Sequence, residues 1–334
     1  MAKKTHNSVA LAIAREDRRN KFITAAAGAG AGMLAATFVC PLDVVKTRLQ
    51  VNRMGYENIN GMMVLGHLGT IFKKEGVKGL YCGFSSTMVA LLVNWAVYFT
   101  VYEQLKGMLQ AREARKNGGV VGKGGAYAHP PKLSVGANML ASAGAGATTI
   151  LVTNPLWVVK TRIQTQSLRP DLIPYKGVAS ALHRIFREEG ARGLYSGVVP
   201  ALAGISHVAI QFPLFEFLKN QLALREGTTV DKLPVGQVAM ATSAAKVIAS
   251  TITYPHEVVR SRLQEQGVAR LEKLRYTGVV DCIKKITAHE GIRGFYLGYA
   301  TNLMRTTPAA VITFTSFEMI LRQLKIIFPP RRED

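Results

Sequence analysis

One ten-residue string occurs three times in this chain, as PLDVVKTRLQ from Pro41, PLWVVKTRIQ from Pro155 and PHEVVRSRLQ from Pro255. Each copy is followed by Glu-Gly and then by an aromatic-x-Gly: Glu75-Gly76 with Tyr81 and Gly83, Glu189-Gly190 with Tyr195 and Gly197, Glu290-Gly291 with Tyr296 and Gly298. The prolines stand 114 and 100 residues apart. A chain of 334 residues is therefore three copies of one unit, and internal repetition constrains the architecture before any single motif does.

The stretches between these motifs decide the solvent. Residues 22–42, 79–102, 133–159 and 193–215 carry no charge, while 233–256 holds only Lys246 and 294–317 only Arg305. Each run approaches or exceeds the roughly 20 residues that cross a bilayer core as a helix. Soluble helices alternate polar and apolar faces and do not stay uncharged for so long. The pattern predicts an all-α membrane protein of six transmembrane helices, two per repeat, with pseudo-threefold symmetry around a central cavity. Odd spans are expected over 22–50, 134–164 and 235–264, and even spans over 84–108, 197–221 and 299–325. Short amphipathic helices over 63–73, 178–187 and 279–288 lie between them. Runs such as AAAGAGAGMLAAT and ASAGAGATT supply the small residues that let helices approach in lipid.

The predicted organisation is a basic N-terminal tail (1–21), repeat one (22–110), a Gly-rich charged loop (111–132), repeat two (133–222), a linker (223–232), repeat three (233–325) and a C-terminal tail (326–334). Repeats two and three open their amphipathic helices with Tyr175-x-Gly177 and Tyr276-x-Gly278; Ile59-x-Gly61 is the weaker counterpart in repeat one. The net charge of +21 sits in loops and at helix ends, outside any zinc-finger or RNA-binding pattern. It fits anionic headgroups and an anionic solute better than nucleic acid. Cys40, Cys82 and Cys282 have no CxxC spacing, which argues against a disulfide framework or a metal site. An enzyme is not expected. His289-Glu290 lacks the second histidine of a zinc site, and the Gly28-Ala-Gly30-Ala-Gly32 run lies inside an apolar helix, where a dinucleotide loop does not belong.

Two sets of charges recur. Two and five residues after the prolines stand Asp43 and Lys46, Trp157 and Lys160, Glu257 and Arg260. Three helices around an axis would let the acid of one pair with the base of another, a gate at the membrane boundary where unpaired charge is costly. At the far end of the even spans stand Tyr102-Glu103 with Lys106, Phe215-Glu216 with Lys219, and Phe317-Glu318, where Leu321 replaces the cation and Arg322 follows. Two gates at opposite faces imply alternating access.

A gate repeats, whereas the site for a lopsided solute breaks the repeat. Nine residues before the prolines stand Gly32, Gly146 and Lys246; seven after the glycine opening each even span stand Ala90, Gly204 and Arg305. An unpaired cation at mid-membrane costs roughly 2.5–3.5 kcal/mol, so Lys246 and Arg305 point to a phosphate or pyrophosphate; a snorkelling Lys246 is the other reading. Asn94-Trp95 stands against Ala309-Ala310, offering a stacking surface and a polar edge for a heteroaromatic ring, unless Trp95 faces lipid. Gly204-Ile205-Ser206-His207 occupies the corresponding place in repeat two, where the span is one residue shorter.

On the threefold PX[DE]XX[KR]X[KR] string with its distant Glu-Gly, the chain resembles the mitochondrial carrier family from about residue 20 to 325. The resemblance implies a matrix gate of Asp43, Lys46, Lys160, Glu257 and Arg260, with Asp43 paired to Lys160 and Glu257 to Lys46. It makes Gln50, Gln164 and Gln264 braces beneath those pairs, and the charges ending the even spans a cytoplasmic gate. It implies cardiolipin at the Glu-Gly and aromatic-x-Gly elements, a monomer, and no cofactor. Trp157 departs from the pattern: either Arg260 is freed to attract anions, or the indole packs and fills the gap. The strings PLWVVKTRIQTQ, GISHVAIQFPLFEFLK, YPHEVVRSRLQEQG and NLMRTTPAAVITFTSFEM resemble the branch carrying NAD, folate, FAD and pyrimidine nucleotides, and plant-type NAD carriers most of all. That implies NAD+ import against AMP or ADP, with folate, FAD or pyrimidine nucleotides as the alternative. The expected location is the mitochondrial inner membrane, multi-pass, with the chloroplast envelope or peroxisomal membrane as alternatives.

Overall fold

The computed structural model describes residues 2–51, 62–116, 133–169, 173–267 and 275–328. Ile59-x-Gly61, most of the 111–132 loop and the end of the C-terminal tail lie outside the described residues. The helices are α1 (Ala2–Val51), α2 (Met62–Leu80), α3 (Phe84–Lys116), α4 (Val135–Thr165), α5 (Val178–Leu194), α6 (Val198–Ala203), α7 (Ser206–Arg225), α8 (Val235–Glu265), α9 (Val279–Glu290) and α10 (Tyr299–Ile327). Among the described residues there is no strand. The odd helices end within a residue of the sequence expectation. The basic tail differs from it, because α1 already begins at Ala2.

Helices Ala26–Val51, Phe84–Arg115 and Val198–Arg225 are long and apolar enough to cross a membrane by length and composition. Large apolar side chains on them stand more than half exposed, among them Phe38, Phe99, Phe212 and Phe217. Helices bathed in water would not present that surface; helices bathed in acyl chains do.

The residues form two compact units, Met1–Val45 with Asn60–Phe84 and Ala300–Asp334, and Lys46–Ile59 with Ser85–Tyr299. In the first, Ile320 of α10 packs on Gly30 of α1, so close that a Cβ there would lie 3.0 Å from it. In the second, Leu105 of α3 covers Gly144 of α4 in the same way. The most buried small residues recur every fourth position and at one distance from each proline: Ala27, Ala31 and Ala35; Ala141, Ala145 and Thr149; Ala241, Ala245 and Ala249. Spacing of four keeps them on one helix face, where small side chains allow backbones to approach.

The shorter span of repeat two has a structural answer. Its even helix is broken between α6 and α7 at Gly204–Ile205, and the amides of Gly204, Ile205, His207 and Val208 bond to the carbonyls three residues back, Ala201, Leu202, Gly204 and Ile205. A 3₁₀ turn rises ~2.0 Å per residue against ~1.5 Å in an α-helix. Three or four such residues recover about the 1.5 Å that one missing residue would have supplied.

The glycines of the Glu-Gly and aromatic-x-Gly elements take one backbone conformation in all three copies. Gly76, Gly190 and Gly291 have φ of 66°, 68° and 63°, and Gly83, Gly197 and Gly298 of 78°, 73° and 76°. Side chains other than glycine are disfavoured there.

Helix α9 caps the third repeat from outside the spans. Cys282 and Ile286 point into a core with Tyr254, Val258 and Tyr276, and burial pushes the Cys282 thiol up to about 12. On its exposed side, Asp281 accepts from the Thr277 amide at 2.9 Å and pairs with Lys285 at 2.9 Å. The Thr277 bond first, and then the Lys285 ammonium, hold its carboxyl below the usual range.

Candidate gates and substrate site

The Arg seven residues after each proline received no role from the sequence, yet it organises the second unit. Arg48 Nε donates to the Gln164 carbonyl, Arg162 Nε to the Gln264 carbonyl, and Arg262 Nε to the Gln50 carbonyl, each at 3.0 Å. The preceding hydroxyl follows the same direction: Thr47 to Gln164 Oε1 at 2.9 Å, Thr161 to Gln264 Oε1 at 3.0 Å, Ser261 to Gln50 Oε1 at 2.7 Å. Each repeat bonds to the next, and the third returns to the first. Those three arginines are 1%, 3% and 1% exposed. Arg162 and Arg262 are neutralised by bidentate pairs with Glu189 (2.5 and 2.8 Å) and Glu290 (2.5 and 2.6 Å). The acids of the Glu-Gly elements therefore hold these arginines. A third glycine makes room: a Cβ on Gly79, Gly193 or Gly294 would collide with the side chain of Glu75, Glu189 or Glu290. EGxxG recurs in all three repeats, which is the signal that could have revealed it.

Gln50, Gln164 and Gln264 thus accept bonds from a neighbouring helix at both side chain and backbone. Gln50 also donates Nε2 to the Tyr254 hydroxyl at 3.0 Å.

Of the expected gate pairs, Lys46–Glu257 is made at 2.6 Å, with the Lys46 ammonium also 5.8 Å from the centre of the Tyr254 ring. Asp43 and Lys160 lie in different units. In the first, Asp43 Oδ1 accepts from Arg305 Nη1 at 3.1 Å. This corrects the expectation of an unpaired Arg305. Its guanidinium also reaches Asn302 Oδ1 at 3.3 Å, while Arg305 Nε is buried without a hydrogen-bond partner among the described residues.

Trp157, standing where the other repeats have an acid, meets two cations. The Lys160 ammonium lies 4.9 Å from the indole ring and the Arg260 guanidinium 5.4 Å. The ring face replaces the carboxylate with a cation–π contact. Of the two readings of Trp157, the packed one fits. The same seam between repeats two and three holds a buried ion pair absent from the repeat pattern: Arg169 Nε to Glu265 Oε1 at 3.0 Å, with side chains 8% and 3% exposed.

Charges ending the even spans stay within their own helices. Lys106 lies over Tyr102 at 5.7 Å, Lys219 over Phe215 at 5.1 Å and 3.6 Å from Glu216, and Arg322 3.5 Å from Glu318. Arg322 thus takes the role that Leu321 leaves open beside Phe317. Glu103, Glu216 and Glu318 are exposed.

Helical geometry orients the repeat-breaking residues. Eleven residues return a helix to within about 20° of the same face. Lys246 therefore shares the face of Glu257, which meets α1, and Trp95 shares that of Lys106. Lys246 is exposed and makes no ion pair among the described residues. Trp95 stacks on Phe99, centroids 5.5 Å apart, and meets Tyr98 edge-on; Asn94 is half-buried beside it. On α7, His207 Nδ1 lies 3.1 Å from Thr253 Oγ1 of α8. Gly204 abuts His256, whose Nε2 would stand 2.8 Å from a Cβ at 204. Ile205 is half-buried at the break.

Three repeats interlocked by arginine and glutamine, with apolar helices and broken symmetry inside, define a membrane transporter with six transmembrane helices in three two-helix repeats. A family model for mitochondrial carrier proteins matches residues 18–113, 131–226 and 231–326, and the chain belongs to that family. It is 57% identical over 314 residues to nicotinamide adenine dinucleotide transporter 1, chloroplastic, of Arabidopsis thaliana, covering 93% of this chain and 95% of the relative. It is 55% identical to nicotinamide adenine dinucleotide transporter 2, mitochondrial, of the same plant (89% and 78% covered). Folate transporter 1, chloroplastic, also of Arabidopsis thaliana, is 36% identical (90% and 95% covered).

Proposed function

We propose that this carrier imports NAD+ in exchange for an adenine nucleotide, AMP or ADP, by alternating access. The Arg305–Asp43 pair carries the reading. A pyrophosphate offers a guanidinium two charged oxygens in place of one carboxylate and so competes for it. Substrate that draws Arg305 away releases the gate acid Asp43. Binding energy is thereby passed to the gate, as alternating access demands. Lys246 supplies a second cation for phosphate. Asn94, Trp95, Gly204, Ile205 and His207 take the rings.

Lys46–Glu257 is the latch of the matrix-side gate, assisted by Lys160, Trp157 and Arg260. The intrahelical contacts of Lys106 with Tyr102, Lys219 with Glu216 and Arg322 with Glu318 fit an unlatched cytoplasmic side. The two NAD transporter relatives support the dinucleotide, and the folate relative favours folate as the second reading. FAD and pyrimidine nucleotides belong to the same alternative. We place the carrier in the mitochondrial inner membrane as a monomer with cardiolipin at the Glu-Gly and aromatic-x-Gly elements. The chloroplast envelope and peroxisomal membrane are the alternatives, and fractionation of a tagged chain decides among them.

Purified protein in liposomes loaded with individual nucleotides tests the function. Saturable NAD+ uptake that requires internal AMP or ADP is expected; uptake of folate or pyrimidine nucleotides alone would move the protein to the second reading.

A further inference from the structure

Thr253 has one hydroxyl proton, and its Oγ1 donates to the Ala249 carbonyl at 2.8 Å. The same oxygen lies 3.1 Å from His207 Nδ1 and has only acceptor capacity left for it. With that proton on the Ala249 carbonyl, His207 donates from Nδ1, and in a neutral ring Nε2 then carries a lone pair. Helix α7 starts one residue before His207, just past the break at Gly204–Ile205, and the imidazole is half-buried, with Nε2 in no hydrogen bond among the described residues.

We propose that His207 is a specificity residue whose Nε2 accepts a hydrogen bond from an N–H donor on a substrate ring, the exocyclic amine of a base or the carboxamide of nicotinamide. The assignment rests on the nucleotide reading above. Thr253 is the positioning residue that fixes the tautomer. A lone pair rejects an oxo group or a carboxylate at the same place, because two acceptors would then face each other.

Liposome uptake with matched pairs tests this: AMP against IMP, CMP against UMP, and NAD+ against nicotinic acid adenine dinucleotide. The natural protein is expected to favour the N–H-bearing member of one pair about tenfold in KM. The pair affected identifies which donor is read. His207→Asn keeps a donor toward Thr253 and lacks Nε2, so it should bring that ratio to near one; Thr253→Val, which unlocks the tautomer, should reduce it partway. His207→Gln, which returns an acceptor near Nε2, should restore the preference and serves if the Asn variant is unstable. Equal uptake of all pairs by the natural protein, or a preference surviving in His207→Asn, overturns the proposal while leaving nucleotide transport standing. Absence of uptake of every nucleotide overturns both.

A different observation carries a second inference. Three residues depart from the repeat at one seam: Trp157 against Asp43 and Glu257, Arg169 against Gly55 and Ala269, and Glu265 against Val51 and Thr165. The first loses the carboxylate expected opposite Arg260. The other two form the buried pair at 3.0 Å, just past the Arg162–Gln264 bond. We infer that Arg169–Glu265 is a displaced latch, doing for repeats two and three what an acid at 157 would have done. Placing the pair beyond the gate leaves Arg260 on the indole face and keeps the seam closed by charge.

The test is a cycle of thermal stability in detergent. Replacing the pair together by Arg169→Met and Glu265→Met avoids a lone buried charge. It should lower the unfolding temperature more in the natural background than with Trp157→Asp, because the restored acid then pairs with Arg260. The charge exchange Arg169→Glu with Glu265→Arg should retain most of the stability and serves if the methionine pair does not fold. Equal losses in both backgrounds would mean independent sites and overturn the inference.

Discussion

Arg305 donates Nη1 to Asp43 Oδ1 at 3.1 Å, joining the one charged residue of the 294–317 run to the acid of the first repeated string. The side chains are 33% and 12% exposed, so the pair lies within reach of a solute. A cation that breaks the repeat and an acid that obeys it are thereby one device.

Arg305→Lys keeps the charge and loses the fork. NAD+ uptake is expected with KM raised about tenfold, and Arg305→Ala with uptake reduced roughly 100-fold, in line with charged hydrogen bonds of about 1.5–3 kcal/mol. Liposome kinetics check this; unchanged KM in both variants would reject the site.

Trp157→Ala removes the face on which two cations rest, at about 1–2 kcal/mol. Trp157→Asp should instead raise thermal stability and slow exchange, because Arg260 gains a carboxylate that must be broken at every cycle. A faster carrier would contradict that role.

Glu290→Gln leaves Arg262, 1% exposed, without its bidentate acid. Breaking one partner of such a pair costs about 3–5 kcal/mol, and Glu189→Gln should behave alike through Arg162. Reduced yield of folded protein and a lowered unfolding temperature are the readouts. Gly294→Ala should mimic the effect by displacing Glu290.

Asp281 is held below its unfolded pKa by the Thr277 amide and then by Lys285. A depressed folded pKa gives stability that is present above the unfolded value of about 4 and is lost as pH falls through the folded value. Unfolding temperature followed from about pH 5 downward should therefore drop less steeply in Asp281→Asn than in the natural protein. Parallel curves would remove Asp281 from the account.

Cys282 is buried, its thiol pushed up to about 12. With almost no thiolate at neutral pH, it should resist maleimide in the folded protein and react after denaturation. Mass spectrometry of the labelled peptide distinguishes the two.

The string PLDVVKTRLQ and its copies were legible as helices, and the structure contains the Lys46–Glu257 contact that the resemblance implied. The adjoining arginines were not, because Arg48 and its counterparts read as ordinary helix-end cations until their carbonyl partners in another repeat are seen. Trp157 was visible as an exception, but two opposed readings fitted it equally, and only the placement of Lys160 and Arg260 over the indole favours one. Arg305 was found by its broken symmetry, whereas its partner was not, since Asp43 lies 262 residues away in the chain.

Period, charge-free length and glycine placement are properties of neighbouring residues, so sequence alone determined three repeats, apolar helices and where symmetry lapses. Which arginine meets which carbonyl, which cations rest on Trp157, and which acid meets Arg305 depend on residues brought together across tens to hundreds of positions. Hydrogen bonds and ion pairs act over about 3 Å, a distance that chain spacing does not encode, and there the tertiary structure decided.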